Sequence, residues 1–133
     1  MATLLLGMLA LSACGDGAGK ERAIRKTVES YYAAFAAKDA ASVCGSMSDS
    51  AKRQMDEAPG TAGKGCEQVM RLVFSSVGSR LDVLREARVA DVAINGDRAT
   101  ATVDFRNQAG RLGLVREGER WKVDDVGGAT PGG

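Results

Sequence analysis

The chain has no histidine, only two prolines and few aromatic residues, with three Phe, two Tyr and one Trp in 133 positions. Without imidazole there is no His-ligated zinc or haem, no Ser-His-Asp triad and no Cys-His pair. Three cysteines are too few for an all-cysteine zinc site. An excess of one charge sign is also missing, since 18 Lys+Arg stand against 17 Asp+Glu for a net charge of +1. A nucleic-acid binder is usually strongly basic on one face. Here Lys52-Arg53 is a lone basic pair, read as a solvated helix face. No apolar run reaches the ~20 residues that cross a bilayer as a helix. Neither metal, cofactor nor nucleic acid is therefore expected, and no catalytic residue is assigned. With 5% aromatics, the core has to come from Val, Leu, Ile, Met and Ala. The length allows one domain.

What the chain does have begins at its N-terminus. Thr3 to Leu11 is apolar, and no charge precedes Asp16. This is the length of a signal-peptide apolar region. It runs into Leu11-Ser12-Ala13-Cys14-Gly15, which resembles the bacterial lipobox: a branched apolar residue, two small residues, then Cys. Small side chains let an extended segment enter a peptidase, and the thiol accepts a diacylglycerol. Residues 1–13 are thus expected to be a lipoprotein signal peptide. Cys14 is the lipidated residue, and 14–20 the lipidated Cys with a flexible tether. Two acyl chains give stable attachment where one is marginal. Met1 is followed at once by Ala2 and Thr3. The basic stretch that usually precedes such a run is missing, which places the expected start upstream. Gly15 to Lys20 is not a phosphate loop. Lys20 stands where the second Gly of G-x-x-x-x-G-K belongs, and in Gly60 to Gly65 the following Cys66 replaces the Lys.

Periodicity organises the rest. Ile24, Val28, Tyr31 and Phe35 form one stripe of a helix over Glu21 to Ala37. Asp39 reads as the cap of a short helix, Ala40 to Ser46, and Ser48 or Asp49 as the cap of another, Ser50 to Glu57. Pro59 to Gly65 is a loop. Cys66, Val69, Met70, Val73, Phe74, Val77, Leu81 and Leu84 keep a single helical stripe. Gly78 is its weak spot, at ~1 kcal/mol relative to Ala. From Arg88 the period becomes two. Val92 and Ile94, then Ala99, Ala101, Val103 and Phe105, then Leu112 and Leu114, then Trp121 and Val123 alternate with polar residues. Turns are expected at Asn95-Gly96-Asp97, Asn107 to Gly110 and Gly118. Four strands in an antiparallel meander are expected, apolar on one face and polar on the other. Helices followed by strands give an α+β fold with N-terminal helices on a curved sheet. The domain spans 21–126, and 127–133 is expected to be a disordered tail.

The helix I-R-K-T-V-E-S-Y-Y-A-A-F-A-A-K-D, followed by A-A-S-V-C, resembles the start of nuclear transport factor 2-like domains. The stretch R-V-A-D-V-A-I-N-G-D-R-A-T-A-T-V, with R-W-K-V-D after it, is similar to their sheet. The resemblance implies a cystatin-like cone, in which a curved sheet wraps a long helix around an apolar pocket. It also implies dimerisation through the sheet in many members. The expected pocket lining is Tyr31, Tyr32, Phe35, Phe74, Phe105 and Trp121. Enzymes of the group place an Asp or His base in the cone, so Asp104, Tyr31 and Tyr32 are the positions to weigh. By period, Asp104 falls on the polar sheet face and Asp82 on the exposed side of its helix. An outward Asp is not a desolvated base.

Cys44 and Cys66 remain. In an exported domain a pair is usually joined. Two buried thiols or a redox pair are the alternatives, though the spacing is not C-x-x-C. Export and pairing arithmetic favour the bridge. The functional expectation is a non-catalytic envelope domain, exported and lipid-anchored to the outer face of the bacterial cell membrane. It would bind a small apolar ligand in the cone or an envelope protein on the sheet, as a monomer or weak homodimer. The alternatives are an isomerase or dehydratase using the cone, and an accessory subunit of an envelope complex.

Overall fold

The computed structural model describes residues 15–126. The expected signal peptide 1–13, the lipidation residue Cys14 and the tail 127–133 lie outside the described residues. The fold is α+β, with four helices and a 3-10 segment preceding one four-stranded antiparallel sheet.

Helix α1 spans Gly15–Ala36. Ile24 and Val28 are fully buried, with Tyr31, Tyr32, Ala34 and Ala36 buried beside them. The chain leaves the helix through Lys38 at φ 57°, a left-handed residue of the kind that ends helices. Asp39 then caps α2 (Ala40–Gly45), its carboxylate accepting from the Ser42 amide at 3.1 Å and the Ser42 hydroxyl at 2.6 Å. Ser48 caps α3 (Asp49–Glu57) by accepting from the Ala51 amide at 3.0 Å. Helix α4 is Cys66–Val77, and successive 3-10 turns follow over Gly78–Glu86.

The strands are β1 (Arg88–Asn95), β2 (Arg98–Phe105), β3 (Gln108–Glu117) and β4 (Arg120–Asp125), in sheet order β1-β2-β3-β4. Two-residue turns join them. Gly96 and Gly118 both take φ 62°, as such tight hairpins require. The inner face carries Ala99, Ala101, Val103, Leu112, Leu114, Trp121 and Val123, all buried. These pack with the α1 stripe, Val43, Met47, Val69, Met70 and Phe74 into one core.

Both sheet edges are occupied in part. At β4, Val123 exchanges backbone bonds of 2.8 Å with Ser46 and Ser48, a short parallel bridge centred on Met47. At β1, a bulge lies between Val89 and Asp91, and the Arg25 guanidinium donates to the Val89 carbonyl at 2.8 Å. Bulges and covered edges keep a sheet from adding foreign strands.

Three expectations require correction. The segment 15–20, expected as a flexible tether, is the first part of α1. Gly19, Lys20 and Ala23 line a depression with Arg116, Glu119 and Trp121 of the β3–β4 hairpin, and a nucleated helix extends cheaply over such a support. The long helix through Leu84 breaks at Gly78, whose backbone sits at φ 58° and ψ −131°. Its amide still closes on the Phe74 carbonyl. The second hairpin turn lies at Arg106 and Asn107 rather than over 107–110, because Phe105 pairs with Gln108. Arg106 takes φ 53°. Its guanidinium reaches back to Glu86 at 3.1 Å, while Gly110 is buried opposite Val103 inside the sheet.

Candidate functional site

Five of the six residues expected to line a pocket form a ring network. Tyr31 meets Phe35 edge-on with centroids 5.0 Å apart and Tyr32 at 5.6 Å. Phe35 meets Phe74 of α4 at 5.8 Å, and Tyr32 tilts over Phe105 of β2 at 6.3 Å. Edge-to-face pairs of this kind contribute ~0.5–1.5 kcal/mol each beyond their burial. The rings thus tie α1 to α4 and to the sheet. Trp121 is buried separately, and its carbonyl accepts from the Thr27 hydroxyl at 3.4 Å.

Depressions mark the surface of the described residues, and five of them bear on the expected lining. Tyr32 lines one, between α1 and the 3-10 segment, of about 320 Å³ with Leu84, Ala87 and Arg88. Trp121 lines two that adjoin each other, of about 420 and 340 Å³, between α1 and the β3–β4 hairpin. Tyr31, Phe35, Phe74 and Phe105 line none of the five. Tyr31 and Phe74 are buried in the core, and Phe35 and Phe105 pack against it half-buried. Rings at these distances pack against one another.

Of the titratable groups named from sequence, Tyr32 lines a depression that also holds Glu29, Arg85 and Arg88. Asp104 is exposed on the outer sheet face. Asp82 is exposed and pairs with Arg85 at 3.8 Å. Burial raises the ionisation range of the Tyr31 hydroxyl, with the neighbouring Tyr32 adding to the effect, and burial alone raises that of Tyr32. Both phenols stay neutral at ordinary pH, so neither is a ready base.

The one buried polar residue among those described is Ser48. Its hydroxyl donates to Asp124 Oδ1 at 2.6 Å and accepts from the Ala51 amide at 3.0 Å. A serine held by a carboxylate looks like a nucleophile and its base. Ser48 is 0% exposed, however, and its lone pair is committed to capping α3. No substrate carbon can reach it. The pair ties α3 to β4. The second Asp124 oxygen lies 3.5 Å from Arg98.

Sequence periodicity placed Asp124 outward with Lys122. The structure differs because the β3–β4 register shifts between Gly113 and Leu114, so Gly113 opposes Asp125 while Leu114 opposes Val123. Asp124 is the extra residue of that bulge and turns to Ser48. A glycine inside a strand is a signal for such a site. A Cβ on Gly113 would lie 3.2 Å from the Asp125 Cβ.

The sulfurs of Cys44 and Cys66 lie 2.00 Å apart, with Cα atoms 6.0 Å apart. They join the end of α2 to the start of α4. Among the described residues no group of three His, Cys, Asp or Glu could hold a metal ion, and no helix is long and apolar enough to cross a membrane. No family model, curated protein or solved structure matches the chain.

Proposed function

We propose that this chain is a non-catalytic domain of a bacterial envelope lipoprotein. It is exported, processed before Cys14, anchored there by acyl chains to the outer face of the cell membrane, and built on a nuclear transport factor 2-like cone. It works through its surface. The observation that carries this reading is the packed ring network. Aromatic rings pack against one another between α1, α4 and β2, and the fully buried Ser48 hydroxyl caps a helix. Acid–base catalysis needs a desolvated acid or base within reach of a substrate, and the carboxylates weighed from sequence, Asp82 and Asp104, are exposed.

The same packing favours a protein partner over a small apolar ligand. The outer sheet face carries Thr100, Thr102, Asp104 and Arg111 over β2 and β3, with Asp91 opposite Thr102. This mixed polar surface suits a reversible contact, with a monomer or weak homodimer as the resting state. A photo-crosslinking residue at Arg111 should give one discrete protein adduct in intact cells, and one at Arg53 on α3 should give none. Absence of any adduct from Arg111, combined with stoichiometric binding of an apolar dye by the purified protein, would transfer the function to the interior.

A further inference from the structure

The two adjoining depressions beside Trp121 differ from the rest of the molecule in charge. Together they are lined by Lys20, Lys26, Arg116, Arg120 and Lys122 against a single carboxylate, Glu119. The whole chain has a net charge of only +1. None of the five bases forms an ion pair among the described residues. Lys122 donates to the Gly45 carbonyl and Arg116 to that of Gly118. Both keep their charge uncompensated.

Position gives the patch its meaning. Helix α1 begins at Gly15, the residue that follows Cys14 in sequence, so the proposed attachment point is close in sequence to this end of the domain. At 1.5 Å per helical residue, Lys20 stands about 8 Å along the axis from Gly15. That is about one Debye length at physiological salt. The β3–β4 hairpin lies beside this first stretch of the helix, bringing Arg116 and Glu119 next to Gly19 and Lys20.

We infer that this end of the molecule, the start of α1 with the β3–β4 hairpin, is a docking surface for anionic phospholipid headgroups. The orientation rests on lipid attachment at Cys14, while the charge recognition does not. The acyl chains hold the protein at the bilayer. The basic cleft then sets which end faces it, leaving the outer sheet face free to meet a partner. Phosphates accept the ammonium and guanidinium donors, and the headgroup layer replaces the carboxylates the patch lacks.

The test uses the full chain carrying Cys14→Ser, which cannot be acylated. It is floated with phosphatidylcholine vesicles with and without phosphatidylglycerol. The apolar leader contributes to both, so the ratio of the two partition coefficients reads charge alone. Lys20→Gln, Lys26→Gln and Arg120→Gln remove side chains that make no hydrogen bond or ion pair with described residues. Each should lower the ratio about fivefold. Arg53→Gln and Arg80→Gln, outside the two clefts, should leave it unchanged. Trp121 is the single tryptophan and lines both clefts, so brominated phosphatidylglycerol should quench it, and the triple variant should escape quenching. Equal losses in the control variants would reduce the effect to net charge and overturn the inference. So would an unchanged ratio in the cleft variants, or loss of binding to inorganic phosphate at constant ionic strength. The mass of the wild-type N-terminus is a separate measurement, and an unmodified Cys14 would leave the charge ratio to stand or fall by itself.

Discussion

Replacing Gly78 by alanine separates two accounts of the molecule by sign. In one continuous helix from Cys66 to Leu84, Gly78 is an interior glycine, and alanine there should stabilise by ~1 kcal/mol. In the structure Gly78 ends α4 at φ 58°, ψ −131°. An L-residue held in that region is strained by ~1–3 kcal/mol. Nothing lies within 4 Å of an added Cβ, so the cost is conformational and not a clash. Gly78→Ala should therefore destabilise by about 2 kcal/mol. Urea denaturation followed by far-ultraviolet circular dichroism should show a lower midpoint with an unchanged slope. The mirror image of this backbone is φ −58°, ψ 131°, an extended conformation that L-residues favour. D-alanine at 78, introduced by ligating a synthetic fragment that begins at Cys66, should consequently stabilise by ~0.4–1 kcal/mol through the unfolded state. A stabilising L-alanine or a destabilising D-alanine would refute the break.

Other outcomes follow from the buried groups. Ser48→Ala removes a helix cap worth ~1 kcal/mol and strips a partner from Asp124, whose side chain is only 18% exposed, at a further ~1–3 kcal/mol. A double-mutant cycle with Asp124→Ala should return a coupling of ~0.5–3 kcal/mol, and additive losses would mean the bond does not matter. Reducing the Cys44–Cys66 pair opens a loop of sequence separation 22 and should cost about 3 kcal/mol in the chain-entropy model. Two titratable thiols in the denatured, unreduced protein would instead mean no bridge forms. Tyr31 and Tyr32 are the only tyrosines and both have raised ionisation ranges. Groups that release protons more readily when unfolded favour unfolding as pH rises. Stability should thus decline above pH 10, the ordinary value for tyrosine, with tyrosinate absorbance rising together with the unfolding signal. Absorbance that rises near pH 10 in the folded protein would contradict the burial.

The strands were legible because alternation and turn glycines agree with one another over Arg88 to Asp125. Both short-helix caps, Asp39 and Ser48, were legible because a capping side chain acts within three residues. The break at Gly78 was not, because Gly78, Leu81 and Leu84 recur every three residues, a spacing that suits a 3-10 turn and an α-helix alike. Arg106 carries no turn signature, and the Glu86 carboxylate that meets it comes from another element. Aromatic residues announce a core in sequence but not whether they enclose space or fill it. That depends on ring distances between α1, α4 and β2, which no local pattern encodes. The basic end was equally hidden, since Lys20 and Lys26 join Arg116 and Arg120 only once α1 lies along the hairpin.

Attachment to the membrane through Cys14 is the claim on which location, orientation and function all depend. Intact-mass and fragment-mass analysis of the protein purified from bacterial membranes tests it directly. The predicted result is a chain that begins at Cys14 and carries a diacylglyceryl thioether. A Cys14 that is unmodified and still preceded by Ala13 would contradict it.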